Sequence, residues 1–67
     1  MNRAKLCGRI REMYDTQEAF AKAMDMSPAT LSAKLRGKSD WTRTEIELAG
    51  KKLDIPVAEI PDYFFSD

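Results

Sequence analysis

The side chains that could carry chemistry are mainly hydroxyl, guanidinium and ammonium groups, and they are concentrated between residues 27 and 38. This stretch holds Ser27, Thr30, Lys34, Arg36 and Lys38 and contains no acidic residue. Such side chains form hydrogen bonds and ion pairs with phosphates and with the edges of nucleotide bases. The pattern therefore indicates a surface that could bind a polyanion.

The composition excludes several kinds of enzyme. The chain has no histidine, which removes histidine-based acid–base catalysis, Ser–His and Cys–His nucleophiles and most zinc sites. Its one cysteine, Cys7, cannot form an intramolecular disulfide, indicates a reducing compartment and is expected in the core. No nucleophile–base pair or phosphate-binding loop can be assembled. We therefore expect no enzymatic activity, cofactor, metal or small-molecule substrate.

Charge is divided between the two halves of the 67-residue chain. Eleven basic and eleven acidic residues give a formal net charge of zero. Residues 1–38 carry a net charge of +4, whereas residues 39–67 carry −4. The basic half could meet nucleic acid, and the acidic half could meet a basic protein surface.

The length allows one domain over residues 1–67. No apolar run approaches the roughly 18 residues that a membrane span needs. The N-terminal residues are too polar for the apolar core of an export signal. We therefore expect a cytoplasmic protein without a membrane segment.

Apolar residues recur at spacings of three and four, which predicts an all-α fold of about five helices. Ser27 followed by Pro28 is a helix start signal, and Thr42 with Glu45 forms a capping box. The predicted helices cover Asn2 or Arg3 to Tyr14, Gln17–Met24, Pro28 to about Leu35, Thr42 to about Leu53, and a short segment opened by Pro56 and limited by Pro61.

Residues 16–38 predict a helix-turn-helix, two short helices joined by about three residues. Ala21 is small enough to let the helices cross closely. On the second helix, Leu31 and Leu35 define the buried side. The residues roughly opposite are Ala29, Ala33 and Arg36, and Thr30 and Ser32 flank them. A helical hairpin within an unrelated bundle is the alternative.

Several positions in this stretch resemble the helix-turn-helix of phage repressors and Cro proteins. They are Gln17, Phe20, Ala21, Met24, Met26, Ser27 and Leu31. The segments MNRAKL, TQEAFAKAM, ATLSAKLRGKSDWTRTEI and IPVAEIPDYFF are similar to small Cro-like regulators of temperate phages, including the modulator-of-repression proteins of lactococcal phages. The resemblance implies a compact lambda-repressor-like bundle that acts at the lysis–lysogeny switch in a bacterial host cell. It also implies one of two partners, operator DNA or the cognate phage repressor bound by an antirepressor.

Two positions depart from that family's pattern. Asp25 stands where the turn usually has glycine, and aspartate tolerates a left-handed backbone better than most residues. The late apolar position of the second helix falls on Leu35, one residue after its usual place at Lys34. This shift predicts a slight rotation of the helix.

The outward face of the second helix supplies the candidate DNA contacts. Alanine can touch a thymine methyl, Thr30 and Ser32 can bond base edges, and Arg36 can read guanine or hold phosphate. Gln17 could join backbone N–H groups in holding a phosphate, while Arg11 and three residues of the full set (Lys34, Lys38 and Arg43) are candidates for phosphate alone. The full DNA-binding set is Gln17, Ser27, Pro28, Ala29, Thr30, Ser32, Ala33, Lys34, Arg36, Lys38 and Arg43.

Structural roles for these residues stay open at this point. The alanines could be simple helix formers, and the basic residues could be a solvated surface. Asp15 and Glu18 flank Gln17 and would repel a phosphate, which favours a protein partner. Trp41 could pack inside or anchor a docking surface. The aromatic tail, residues 63–65, could fold over the first helix or form the seam of a homodimer.

Overall fold

The computed structural model describes residues 1–66, and this part of the chain contains five α-helices, one 3-10 turn and no β-strand. The predicted all-α fold class is therefore confirmed. The helices are α1 (Arg3–Tyr14), α2 (Gln17–Ala23), α3 (Pro28–Leu35), α4 (Arg43–Lys52) and α5 (Ile60–Phe64), with the 3-10 turn at Val57–Glu59 just before α5.

Side-chain caps fix where the helices begin. Thr16 and Ser27 each accept a hydrogen bond from the backbone N–H three residues later, at 3.1 Å. Both halves of the predicted capping box of α4 form, since Thr42 Oγ1 accepts from the Glu45 N–H at 3.1 Å and the Glu45 carboxylate accepts from the Thr42 N–H at 2.8 Å. A cap of this kind stabilises a helix by about 1 kcal/mol.

The turns between helices rely on residues that tolerate a left-handed backbone. Asp25, between α2 and α3, has φ of 56°, as its position in the turn predicts. Gly37, after α3, has φ of 78°. The N–H of Met26 donates to the Ala21 carbonyl at 3.0 Å, which joins this turn to α2. The two helices are therefore connected by a short, hydrogen-bonded turn.

One hydrophobic core receives side chains from every helix. Ala21 is fully buried, so α2 packs closely against α1 and α3 at this point. Cys7 is half-buried and packs against the core from α1. Among the described residues, the buried hydrophobic side chains are Leu6, Ile10, Phe20, Ala21, Met24, Leu31, Leu35, Ala49, Leu53, Ile55, Tyr63 and Phe64.

Side chains of α1 cap the carboxyl end of α4. The Arg9 guanidinium donates to the Leu53 carbonyl at 2.9 Å and to the Asp54 carbonyl at 3.1 Å. The Tyr14 hydroxyl donates to the Lys52 carbonyl at 3.0 Å. The last carbonyls of a helix have no partner within it, so these bonds join the first helix to the fourth.

Pro61 does not limit the last helix, and the sequence-based prediction was wrong on this point. Pro61 lies in the first turn of α5. An N–H in a helix's first turn has no partner within that helix, so proline costs little there. The start of α5 lies so close to α4 that a Cβ atom on Gly50 would come within 2.6 Å of Ile60 Cδ1.

The aromatic tail is divided between core and surface. Tyr63 and Phe64 are buried, and the Asn2 N–H donates to the Tyr63 carbonyl at 2.9 Å, so the tail folds back onto the start of α1. Phe65 stays 68% exposed.

Trp41, in the loop before α4, has a packing role. Its ring meets Phe64 edge-on, with 5.2 Å between ring centroids. Its indole N–H donates to the Met1 sulfur at 3.3 Å.

Candidate nucleic-acid interface

Helix α3 has one buried side and one exposed side, as the helical wheel predicts. Leu31 and Leu35 are buried to within 1% of full burial. Pro28, Ala29 and Thr30 are exposed in its first turn. Arg36, at its carboxyl end, is exposed. Ala33, which the wheel places on the exposed side, is half-buried, as is Ser32. The outward surface is therefore narrow and made of small side chains, with a guanidinium at one end.

The hydroxyls of Ser27 and Thr30 are bonded to each other. Ser27 Oγ donates to Thr30 Oγ1 at 2.8 Å and accepts from the Thr30 N–H at 3.1 Å. Ser27 is thus engaged as the cap of α3. The hydroxyl proton of Thr30 is still available to donate outward. Of the two, Thr30 has the greater capacity for a new hydrogen bond.

Lys34, which the sequence predicts to contact a phosphate, does not lie on the exposed side of α3. Lys34 is only 5% exposed and lies on the buried side of α3. Its ammonium forms a salt bridge with Glu45 at 2.9 Å and donates to the Asp40 carbonyl at 2.8 Å. The long aliphatic stem of a lysine can be buried while its charge is paired. Positions 34 and 35 therefore both face inward.

The Glu45 carboxylate both caps α4 and pairs with Lys34, and these contacts lower its pKa. Burial by itself would raise the pKa of Glu45. Hydrogen bonds from the backbone of Thr42 and from the Lys34 ammonium, together with the charge of Lys34, outweigh that effect and hold the pKa below its ordinary value. The carboxylate is therefore the ionised partner that a buried lysine requires.

Three basic side chains of the candidate set are exposed. Arg36 and Lys38 form no salt bridge with any residue of the described range 1–66. Arg43 pairs with Glu47 on the surface of α4 at 3.2 Å. An ion pair this exposed contributes little, so Arg43 can exchange its carboxylate for a phosphate.

The start of α2 carries charges of both signs. Gln17 is exposed and lines a shallow groove between α1 and α2 with Arg11 and Asp15. Glu18, also exposed, follows it. Arg11 could attract a phosphate to this groove, and the two carboxylates oppose it. Gln17 is therefore a weaker phosphate candidate than Arg36 or Lys38.

An apolar groove lies on another part of the surface, between α4 and α5, and the sequence did not predict it. Val57, in the 3-10 turn, is 87% exposed and forms part of its wall. The groove is lined by Ile46, Glu47, Gly50, Lys51, Ile55, Val57, Ile60 and Pro61. The groove forms where the segment between α4 and α5 packs beside α4, and such packing leaves no periodic pattern in the sequence. Only the fold therefore reveals this groove.

Metal and membrane features are absent from the part of the chain that the structure describes. Residues 1–66 contain no group of three or more histidine, cysteine, aspartate or glutamate side chains placed to hold a metal ion. None of the helices formed by these residues is both long and apolar enough to span a bilayer.

The chain belongs to the family described as Protein of unknown function (DUF739), whose model matches residues 2–67. No curated protein matches the chain. The family description names no activity, so a functional assignment must come from the geometry of α3 and its surroundings.

Proposed function

We propose that the chain is a DNA-binding transcriptional regulator in which α2 and α3 act as a helix-turn-helix. The observation that carries this proposal is the outward side of α3. It combines small side chains at Ala29 and Thr30 with the exposed guanidinium of Arg36, which forms no salt bridge within residues 1–66. A helix of this shape can approach base edges closely in the major groove, which admits an α-helix.

The exposed residues of α3 have distinct roles in this arrangement. Ala29 touches a thymine methyl, and Thr30 donates to a base edge. Arg36 binds guanine or a neighbouring phosphate. Pro28 and the Ser27 cap set the direction of the first turn, and Ala33 and Ser32 border the contact.

Basic residues at the carboxyl end of α3 and at the start of α4 supply the phosphate contacts. Lys38 and Arg43 are exposed and can neutralise phosphates, as can Arg36. Because Lys34 is buried, these three residues neutralise about three phosphates per protomer. The affinity should therefore fall as the salt concentration rises, with a log–log slope of roughly −3.

The similarity of the sequence to Cro-like phage proteins supports a specific setting. In that setting the regulator acts in the cytoplasm of a bacterial host and binds an operator at the lysis–lysogeny switch. Operators of this kind hold two half-sites about one helical turn apart, which a homodimer would occupy.

Selection from DNA of random sequence tests the proposal. The protein is mixed with duplexes containing a random segment of about 20 base pairs, long enough for two half-sites, and bound duplexes are enriched and sequenced. Anisotropy titration then compares the wild type with Arg36→Ala and with Lys52→Ala, which removes the same charge from the last turn of α4. Arg36→Ala should weaken binding by about 1–3 kcal/mol, whereas Lys52→Ala should have little effect. A folded wild type that enriches no sequence and binds no duplex at low salt would refute DNA binding.

A second candidate function is that of an antirepressor that binds the phage repressor itself. The apolar groove between α4 and α5 favours it, because exposed Val57 and the acidic second half suit a partner with a basic, partly apolar surface. Light scattering of an equimolar mixture with purified repressor should give the mass of a complex. Val57→Asp should abolish that complex, and Ala58→Asp, which introduces the same charge at an exposed position outside the groove, should not. Separate elution of the two proteins at micromolar concentration would count against this function.

A further inference from the structure

Lys34 stands out because it is buried and charged, and because neither proposed function uses it. Its ammonium lies between two acceptors, the Glu45 carboxylate at 2.9 Å and the Asp40 carbonyl at 2.8 Å. The same oxygen of Glu45, Oε1, also accepts from the Thr42 N–H at 2.8 Å. One lysine therefore joins α3 to the loop that follows it and to the first turn of α4.

The loop between α3 and α4 depends on this contact. Its first part is fixed by the end of α3, since the N–H of Lys38 donates to the Ala33 carbonyl at 2.9 Å. Beyond it, the backbone of residues 39–41 makes one hydrogen bond within the described range, the bond from Lys34 to Asp40. The packing of Trp41 on Phe64 holds the far end of the loop.

An apolar residue at position 34 could fill the same space but could not make these bonds. A leucine or methionine would pack beside Leu31 and Leu35 without a donor for the Asp40 carbonyl. The lysine adds a polar connection, and of its two partners Glu45 is already held in α4 by its bond from the Thr42 N–H, whereas Asp40 lies in the loop. The lysine therefore restrains the loop between α3 and α4 more than it adds apolar packing.

We propose that Lys34 is a positioning residue that holds residues 39–41 in one conformation and so fixes the first turn of α4, with Arg43, relative to Arg36 and Lys38 at the end of α3. The inference rests on the proposed DNA-binding function. It assigns to Lys34 an indirect role, in which the ammonium never meets a phosphate.

Two substitutions separate this role from a direct contact. Lys34→Met keeps the length of the stem and removes the ammonium. Lys38→Met removes the same charge from an exposed position at the end of α3, just before this segment. Both proteins are compared with the wild type by NMR relaxation of backbone amides and by anisotropy titration, at several salt concentrations, against the duplex enriched from the random pool.

Each variant should change a different measured quantity. In Lys34→Met the order parameters of the Ser39 and Asp40 amides should fall from about 0.85 to below about 0.6, the values of rigid and flexible backbone. The affinity for the duplex should fall about tenfold, since loosely held contact residues bind poorly, while the salt slope stays that of the wild type. In Lys38→Met the order parameters should not change, and the slope should become shallower by about 0.9, the effect of one lost phosphate contact.

Other outcomes would contradict either the positioning role of Lys34 or the proposed DNA binding. Unchanged order parameters in Lys34→Met, or lowered ones with wild-type affinity, would overturn the positioning role. A slope shallower by about 0.9 in Lys34→Met would show a direct phosphate contact and overturn it as well. A wild type that binds no duplex would instead refute the proposed function, and the relaxation data would still decide whether Lys34 holds the loop.

Discussion

Single residues divide α3 into a side that holds the fold and a side that is exposed to solvent. Lys34 and Leu35 are adjacent, yet both are buried, because the lysine stem follows the apolar side and its charge is paired with Glu45. Arg36, the next residue, is exposed and forms no salt bridge within residues 1–66. A basic residue near the end of an amphipathic helix can therefore be structural, and only the groups that it contacts decide which role it has.

The Lys34–Glu45 pair makes a prediction about acid stability. The pKa of Glu45 is lower in the folded chain than its ordinary value, so the ionised carboxylate stabilises the fold above about pH 4.3, the pKa of a glutamate in an unfolded chain. This stability is lost as the pH falls through the lowered pKa. Glu45→Gln keeps an acceptor for Thr42 but removes the charge, and at pH 7 it should lower the free energy of unfolding by about 1–3 kcal/mol. The difference from wild type should shrink towards pH 3.

Urea unfolding followed by circular dichroism, at pH 7 and pH 3, measures this effect. Glu47→Gln is the matched control, because its carboxylate pairs with Arg43 on the surface and is 62% exposed. The control should cost no more than about 1 kcal/mol at either pH. A Glu45→Gln cost that is equal at the two pH values would contradict the link between the carboxylate charge and stability.

At the scale of helices, the sequence was most informative where local chemistry decides the structure. The starts of α2, α3 and α4 were predictable, because capping by Thr16, Ser27 and Thr42 involves residues only three positions apart. The left-handed turn at Asp25 was predictable from the resemblance, in which glycine usually stands at this place, and from the tolerance of aspartate for such a backbone. The buried side of α3 followed from helical periodicity.

Features formed by residues distant in the chain were not predictable in this way. Lys34 and Glu45 are separated by the whole loop between α3 and α4, and no periodicity reports that they meet. Pro61 could be read as the end of a helix or as part of its first turn, and the packing of Ile60 beside Gly50 selects the second. The DNA contacts remain predictions at Ala29 and Arg36, because a candidate binding surface is defined by its partner as much as by its own exposure.

At the scale of the whole molecule, the two ends of the chain complete one small core. The Asn2 N–H bonds to the Tyr63 carbonyl, and Trp41 contacts both Met1 and Phe64. A domain of this size has a free energy of unfolding of only about 3–10 kcal/mol, at roughly 0.05–0.15 kcal/mol per residue. The loss of one large core side chain is therefore a large fraction of the total.

Phe64 and Phe65 test this dependence and decide between the two roles expected for the aromatic tail. Phe64→Ala removes a buried ring and the partner of Trp41, and should lower the free energy of unfolding by about 3–5 kcal/mol, enough to unfold much of the population. Phe65→Ala removes the same side chain from a position that is 68% exposed, and should change it by at most about 0.5 kcal/mol. Urea unfolding at two protein concentrations tenfold apart measures both variants. If Phe65→Ala were instead as costly as Phe64→Ala, and its cost grew with protein concentration, the tail would be the seam of a dimer, because only a contact between two chains gains stability by mass action.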